Sequence, residues 1–249
     1  MNTKTDIIEV VKAQLAMDYN CYMSDFDKKE NTIVENKLIT GRRLYDSDGC
    51  FFKAVVAAGK VIISTSPEMM PWCQEKFYKS DSEWFFVYPR LRAIDKKLQE
   101  FGHEIADVHH YYLPNPNIQK IKPMSDIKWY EYEDILQFKD DNRFEEAFAF
   151  DKNRPDMLAV AALEGDNIMG MAGASADGKT IWQIGIDVLP ESRGRGIGAN
   201  LVLLLKDEIL RRGKLPFYGT AISHIHSQNI ALNAGFFPAW AEIFSRVIK

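Results

Sequence analysis

The sequence predicts an α/β protein of the α+β type, whose C-terminal part is a mostly antiparallel sheet flanked by helices. Two apolar runs, 157–163 and 168–174, are separated by the turn sequence Glu-Gly-Asp-Asn at 164–167, which is typical of a β-hairpin. A second turn at 177–178 leads into a third apolar run at 181–188. The other elements predicted for this part are a strand at 127–132, a short helical region around 144–150, a helix at 196–212, a strand at 216–222, a helix at 227–234 and a strand at 237–247.

The residues before position 113 predict an N-terminal α/β accessory domain. Its order of strand, helix and strand leaves open that this domain is a degenerate duplicate of the second one. Pro71 should split or delay a helix that begins at Ser66-Pro67, because proline removes a helical N–H. The predicted elements are a helix at 5–18, strands at 51–57 and 61–64, a helix after 66, a strand at 84–88, a helix at 91–102 and a strand at 104–112.

A linker is predicted at 114–126, which holds three prolines and shows no periodicity. It divides the chain into an accessory domain at 1–113 and a second domain at 127–249.

Composition restricts the function. The net charge of −4 disfavours a nucleic-acid partner, for which a basic surface is expected. No apolar run approaches the ~20 residues of a membrane-spanning helix, and the N-terminus lacks the order of a signal peptide. The three cysteines are scattered without the spacing of a metal site, which favours reduced thiols, a cytoplasmic location and no bound metal. The oligomeric state is not predictable from these features.

The segment 193–199, Arg-Gly-Arg-Gly-Ile-Gly-Ala, stands between the predicted strand at 181–188 and the helix at 196–212. Glycine allows the backbone to approach a ligand and to adopt turn conformations that a Cβ forbids. The first N–H groups of the following helix have no intrahelical partner and attract an anion such as a pyrophosphate. Arg193 and Arg195 add positive charge at the same place.

Three kinds of binding site use a glycine-rich loop like this segment, and their sequence patterns differ. A Walker A loop requires Gly-Lys-Ser/Thr, and Ala199-Asn200-Leu201 stands there instead. A dinucleotide fingerprint remains open because alanine can replace its last glycine, but it requires a parallel sheet. The third pattern, Arg/Gln-x-x-Gly-x-Gly/Ala after a Val-x-Pro strand end, is matched by Val188, Pro190, Arg193, Gly196 and Gly198.

This third pattern resembles the GNAT superfamily of acetyl-CoA-dependent N-acetyltransferases. Ser227-x-x-Ile230-Ala231 followed by Gly235-Phe236 is similar to the last helix and strand entry of that family. The phrase from 213 to 240 is also similar to a bacterial two-domain subgroup that includes the zwittermicin A resistance acetyltransferase. The resemblance implies acetyl-CoA as co-substrate, bound by Ile186, Asp187, Val188, Arg193, Gly194, Arg195, Gly196, Ile197, Gly198, Ala199 and Ser227.

The sequence departs from the family at both usual proton carriers. The position of the usual base, six residues before Val188, is Trp182, and the position of the usual tyrosine acid is Ala231. Strand alternation turns the carboxylate of Asp187 to the opposite face. The candidate catalytic residues are therefore Tyr218, His224 and Ser227, each of which also has an ordinary reading as packing, surface or helix-capping residue.

The resemblance implies an acyltransferase that moves an acetyl group from acetyl-CoA to a primary amine of a small molecule by direct attack. The first alternative is a CoA-binding sensor or interaction module without turnover, which the two missing proton carriers keep open. The second alternative is a dinucleotide-binding oxidoreductase.

Overall fold

The computed structural model describes residues 3–44, 50–116 and 122–249. They form two compact units, each built from two separate stretches of chain. The glycine-loop unit consists of Met1–Val10 and Tyr112–Pro238, and the accessory unit consists of Val11–Tyr111 and Ala239–Lys249. The sequence did not predict that residues 1–10 group with the C-terminal half of the chain, or that residues 239–249 group with the N-terminal half. The boundaries at 113 and 127 and the linker between them stay a prediction.

Both units contain helices and strands. The helices are α1 (Lys4–Tyr19), α2 (Met70–Phe77), α3 (Tyr88–Gln99), α4 (Tyr132–Ile135), α5 (Ile197–Arg211) and α6 (Ile225–Asn233), with 3-10 turns at Met23–Asp27, Leu136–Phe138, Asn142–Phe144 and Pro190–Ser192. The strands are β1 (Thr32–Glu35), β2 (Phe52–Ala57), β3 (Lys60–Thr65), β4 (His103–Pro114), β5 (Asp126–Glu131), β6 (Asp156–Glu164), β7 (Asn167–Ser175), β8 (Ile181–Val188), β9 (Leu215–Ala221) and β10 (Phe236–Val247).

In the glycine-loop unit the strand order is β9-β8-β7-β6-β5. Strands β5 to β8 pair antiparallel, and β9 pairs parallel to β8. Leu201, Leu205 and Ile209 of α5 recur at helical spacing and are buried against one face of this sheet. The opposite face is covered by residues 132–150, whose buried members include Phe144. The predicted hairpin and the predicted order of strands and helices in this half of the chain are confirmed, except for the helical region around 144–150.

In the accessory unit the strand order is β1-β3-β2-β10-β4. β2 and β3 form the predicted hairpin, and β10 adds antiparallel to β2 with Trp240 opposite Ala57 and Phe244 opposite Lys53. The C-terminal strand therefore completes the sheet of the accessory unit.

One prediction in the accessory unit is wrong, and one feature was missed. Residues 84–88 form a turn rather than a strand: Phe85 is buried against the ring of Phe77 while Trp84 is 62% exposed, and α3 begins immediately afterwards at Tyr88. The pair β1 and β3 is parallel, and the four-residue β1 gave no signal of its own in the sequence. The delay of the helix by Pro71 is confirmed, because α2 begins only at Met70.

The predicted helical region around 144–150 is also wrong. The helical turn is a 3-10 turn that ends at Phe144, and it is followed by a turn at 145–147 and an irregular segment at 148–150, in which Phe150 has φ +47°.

A buried cluster of charges ties β10 to the rest of the accessory unit. Arg43 donates from Nε to Oδ2 of Asp18 at 2.6 Å and from Nη2 to Oε1 of Glu242 at 2.5 Å, and all three side chains are at most 5% exposed. Trp240 donates to the same Glu242 oxygen at 2.8 Å, and Lys53 donates to the main-chain oxygen of Asp18. A buried ion is tolerated only when its partners are in place, so Glu242 fixes β10 through these contacts.

Replacing Glu242 by Gln should lower the free energy of unfolding by about 3 kcal/mol, because the buried guanidinium of Arg43 would keep only Asp18 as a charged partner and lose the charge of Glu242. Urea denaturation followed by tryptophan fluorescence measures it. The matched control is Glu104→Gln, which removes one charge of the more exposed Arg246–Glu104 pair, at 2.8 Å between β10 and β4, and should cost less than about 1 kcal/mol. Equal losses in the two variants would contradict the role given to the buried cluster.

Candidate functional site

The parallel ladder between β8 and β9 stops before either strand ends. β9 pairs with β8 from Ile181–Leu215 to Ile184–Tyr218, whereas β7 pairs with β8 as far as Val188. The backbone of residues 185–188 is therefore paired on its β7 side only. Unpaired strand groups of this kind can accept an extended ligand as they would accept another strand.

The chain then turns through two left-handed glycines into α5. Gly194 has φ +76° and Gly196 has φ +81°, a region that side chains rarely adopt, and α5 begins directly after Gly196. The first N–H groups of this 15-residue helix lack intrahelical partners, as in every α-helix. They form an anion-binding end next to the open edge of β8.

The arginines of the loop each have one contact within the glycine-loop unit. Nε of Arg193 donates to the carbonyl oxygen of Val188 at 3.1 Å, and Nη2 of Arg195 lies 3.1 Å from a carboxylate oxygen of Glu164. Both arginines are exposed and add positive charge to the helix end.

Gly198 has a packing role rather than a turn role. A Cβ at Gly198 would lie 3.1 Å from side-chain carbons of both Val188 and Ile230, so glycine lets α5 approach β8 and α6 closely. This close contact also keeps the first turn of α5 beside the end of β8.

Asn200 holds a further segment at the helix end, which the sequence did not reveal. Its Oδ1 accepts from the N–H of Met124 at 3.1 Å and its Nδ2 donates to the carbonyl of Lys122 at 3.2 Å. The sulfur of Met124 would lie 3.7 Å from a Cβ at Gly196. A linker without periodicity gives no sign of such a contact.

Tyr218 and Ser227 form a buried hydroxyl pair at the opening between β8 and β9. Their oxygens are 2.8 Å apart, and Tyr218 is 2% exposed. Burial raises the pKa of Tyr218 to about 12, against a smaller lowering by the hydrogen bond with Ser227. The phenol therefore keeps its proton throughout the neutral range. His224, the third candidate, is exposed at the residue before α6.

Trp182 and Ala231 are both buried in the core against α5. An indole and a methyl group cannot exchange a proton in this setting, so any proton transfer must use other groups.

Asp187 performs a structural task on the opposite face of the sheet. Its Oδ2 accepts from the N–H groups of Glu146 and Ala147, both at 2.9 Å. A Cβ on Gly185 would overlap the carbonyl oxygen of Glu146, and a Cβ on Gly173 would overlap that of Ala147. Since Gly173 and Gly185 are opposite each other in the β7–β8 ladder, they form a shallow notch that receives this main chain.

Gly185→Ala should destabilise the protein by about 1–3 kcal/mol, because a methyl group cannot enter the notch without displacing the main chain at Glu146. Thermal unfolding followed by circular dichroism measures the shift in Tm. Gln183→Ala is the matched control, since Gln183 lies two residues earlier on the same face of β8 and should shift Tm far less. A Gly185→Ala protein with the parent's Tm would show that the notch is not needed.

No group of three or more His, Cys, Asp and Glu among residues 3–44, 50–116 and 122–249 is arranged to hold a metal ion. Within the same ranges, none of the helices has both the length and the apolarity needed to cross a membrane. Cys21, Cys50 and Cys73 are free thiols.

Comparison with known proteins gives a family match for the glycine-loop unit. Residues 121–236 match the family model described as Acetyltransferase (GNAT) family. Among solved structures, the GCN5-related N-acetyltransferase-like protein from Streptococcus suis 89/1591 is similar over 96% of this chain and 99% of its own, with a TM-score of 0.50 and 11% identity. No curated protein matches the chain significantly.

Two further solved structures are similar at lower scores. A GCN5-related N-acetyltransferase from Kribbella flavida has a TM-score of 0.48 and 12% identity, over 96% of this chain and 95% of its own. A GNAT-family acetyltransferase from Colwellia psychrerythraea has a TM-score of 0.46 and 13% identity, over 98% of this chain and 97% of its own.

The predicted fold class is confirmed: the protein is a mixed α/β, GNAT-like fold with a mostly antiparallel sheet flanked by helices. The family match covers less than half of the chain, and it includes both the glycine loop and the Gly235-Phe236 motif. The antiparallel pairing of β5 to β8 contradicts the dinucleotide-binding alternative, which requires a parallel sheet. The closer similarity to the zwittermicin A resistance subgroup stays a prediction.

Proposed function

We propose that this protein moves an acetyl group from acetyl-CoA to a primary amine of a small molecule by direct attack. The observation that carries the proposal is the early end of the β8–β9 ladder next to the N-terminus of α5. The opening and the helix end together suit a molecule that has an extended amide chain and a pyrophosphate.

The residues present fit acetyl-CoA along its length. The first-turn N–H groups at Ile197, Gly198 and Ala199 and the guanidinium groups of Arg193 and Arg195 would hold the pyrophosphate. The unpaired backbone of residues 186–188 would pair with the amides of the pantetheine arm. This pairing requires Arg193 to exchange the carbonyl of Val188 for a phosphate oxygen, which the exposed position of its side chain permits.

The hydroxyl pair would relay a proton during the transfer. The reaction forms a C–N bond and breaks the C–S bond, and the nitrogen must then lose a proton while the leaving sulfur gains one. Tyr218 can accept the former proton as it donates its own to the sulfur, and so remain neutral. A phenol whose pKa is raised to about 12 is suited to this relay, because it resists ionisation. Ser227 orients the phenol through their 2.8 Å hydrogen bond.

The acceptor is proposed to be a small amine on the basis of the subgroup resemblance, and a cytoplasmic location on the basis of the free thiols. The alternative of a CoA-binding sensor is favoured by the burial of Trp182 and Ala231 at the usual proton-carrier positions. Both readings predict that the protein binds CoA, and only the first predicts thiol release with an amine.

Gly196→Asp should weaken acetyl-CoA binding at least about tenfold, because the new carboxylate repels the pyrophosphate and its Cβ strains the left-handed turn. Isothermal titration calorimetry measures the affinity. Gly213→Asp is the matched control: it has φ +74°, open space around it and the same charge change at the other end of α5, and should bind as the parent does. Unchanged affinity in Gly196→Asp would overturn the binding proposal.

Tyr218→Phe should lower kcat about 100-fold with an amine that the parent acetylates, and leave the acetyl-CoA affinity unchanged. Thiol release with tyramine, benzylamine, glycinamide and ethanolamine measures it. The parent should show no loss of kcat up to pH 10, since Tyr218 would stay protonated there. Tyr130→Phe, a buried tyrosine on the other face of the sheet, is the control for packing. CoA binding without thiol release in the parent would favour the sensor.

A further inference from the structure

The main chain of Glu146 lies at the mouth of the opening between β8 and β9. Its carbonyl oxygen rests on Gly185, which is the first residue of β8 beyond the last pair of the ladder, Ile184 with Tyr218. Its N–H is held by Oδ2 of Asp187, two residues further along the same strand. Two independent contacts therefore fix Glu146 where an acceptor would approach from the face opposite α5.

Of the side-chain carboxylates of Glu146 and Asp187, only that of Glu146 is exposed and takes no part in the contact between Asp187 and the main chain. Asp187 is half-buried, and its Oδ2 already accepts two main-chain N–H groups. Burial raises the pKa of Asp187, and the charges of Glu146 and Glu145 raise it further. The charge of Glu146 also raises the pKa of Tyr218, after the larger effect of burial.

The local charge is negative on this side. Within the described part of the chain, no lysine or arginine forms an ion pair with Glu145, Glu146 or Asp187. An approaching ammonium group would supply the missing positive charge.

We propose that Glu146 binds the ammonium group of the acceptor and removes its first proton, and that Asp187 is the positioning residue that holds Glu146 at the opening. This inference rests on the proposed acetyl transfer and names its acceptor class: a primary amine that is protonated in solution. It gives a base to a site in which Trp182 stands at the usual position of the base.

The protons balance with these groups. The ammonium gives its first proton to the carboxylate of Glu146, which is exposed and returns it to water. The nitrogen lone pair then forms the C–N bond, and the C–S bond breaks with its electron pair on sulfur. The second nitrogen proton passes through Tyr218 to that sulfur. The net products are an amide, a thiol and one proton in solution.

Glu146→Gln should lower kcat/KM at pH 7 about 100-fold for the panel amine that the parent acetylates fastest, and leave the acetyl-CoA affinity unchanged. Without a base on the protein, the reaction would depend on amine already deprotonated in water. The rate of the variant should therefore rise with pH along the amine's own titration, whereas the parent should reach its plateau at lower pH.

Two controls separate proton removal from a general loss of charge. Glu145→Gln makes the same charge change at the neighbouring exposed residue and should alter kcat/KM by less than about threefold. Hydroxylamine is a nucleophile that is already uncharged at neutral pH, so Glu146→Gln should transfer acetyl to it at nearly the parent's rate.

The positioning role of Asp187 has a readout that does not depend on turnover. Asp187→Asn should speed hydrogen exchange at the amides of Glu146 and Ala147, because an amide oxygen is a weaker acceptor than a carboxylate. It should also lower kcat about tenfold. The double variant with Glu146→Gln should lose no more than Glu146→Gln alone, because Asp187 acts through Glu146.

The inference is overturned if Glu146→Gln keeps the parent's pH profile, if Glu145→Gln or the hydroxylamine reaction loses as much, or if the two amides exchange unchanged in Asp187→Asn. A parent that turns over normally alongside such results would leave the proposed function standing. A parent that releases no thiol would refute the proposed function, and this inference would fall with it.

Discussion

The site depends on the point at which β9 stops pairing with β8. Up to Ile184 the strand has neighbours on both sides, and beyond it the backbone is satisfied on the β7 side only. Unpaired backbone groups are costly when buried, so a strand end of this kind needs water or a ligand as partner. Because the same strand continues through Pro190 into the glycine turn, the open edge and the helix end are placed together by one continuous segment.

Strand alternation divides the work between the two faces of β8. Ile184 faces α5 with the core that encloses Tyr218, whereas Gly185 and Asp187 face residues 145–148. One face of β8 therefore packs in the core with the buried phenol of Tyr218, and the other face holds the main chain of Glu146 through Asp187. Beyond Ile184, β9 no longer pairs with β8, so groups from the two faces of β8 can come together at this opening.

The elements whose determining residues lie within them or next to them in the sequence were predictable. Pro190 ends β8, the glycines require left-handed turns, and Leu201 to Ile209 recur at helical spacing, so the loop and helix could be placed from the residues alone. The role of Asp187 could not, because its partners lie about forty positions earlier in a segment without a motif. Gly173 and Gly185 offered a signal in retrospect: paired glycines inside two adjacent strands indicate that another backbone approaches there. The prediction of a strand at 84–88 was wrong for a related reason. Aromatic residues favour strands, but the burial of Phe85 against Phe77 decided the conformation.

Burial explains why the two proton-handling groups differ in chemistry. A phenol enclosed between β9 and α6 is kept neutral, because desolvation penalises its charged form, and the negative charges across the opening act in the same direction. The carboxylate of Glu146 is exposed and can pass a proton directly to water. Nearby negative charge then has two effects: it stabilises an incoming ammonium and resists ionisation of the tyrosine. The same arrangement that attracts a cationic amine thus preserves the neutral hydroxyl which the leaving sulfur requires. Glu146 and Tyr218 thus share one electrostatic environment, in which burial keeps the phenol neutral and the charge of Glu146 adds to that effect while it attracts the amine.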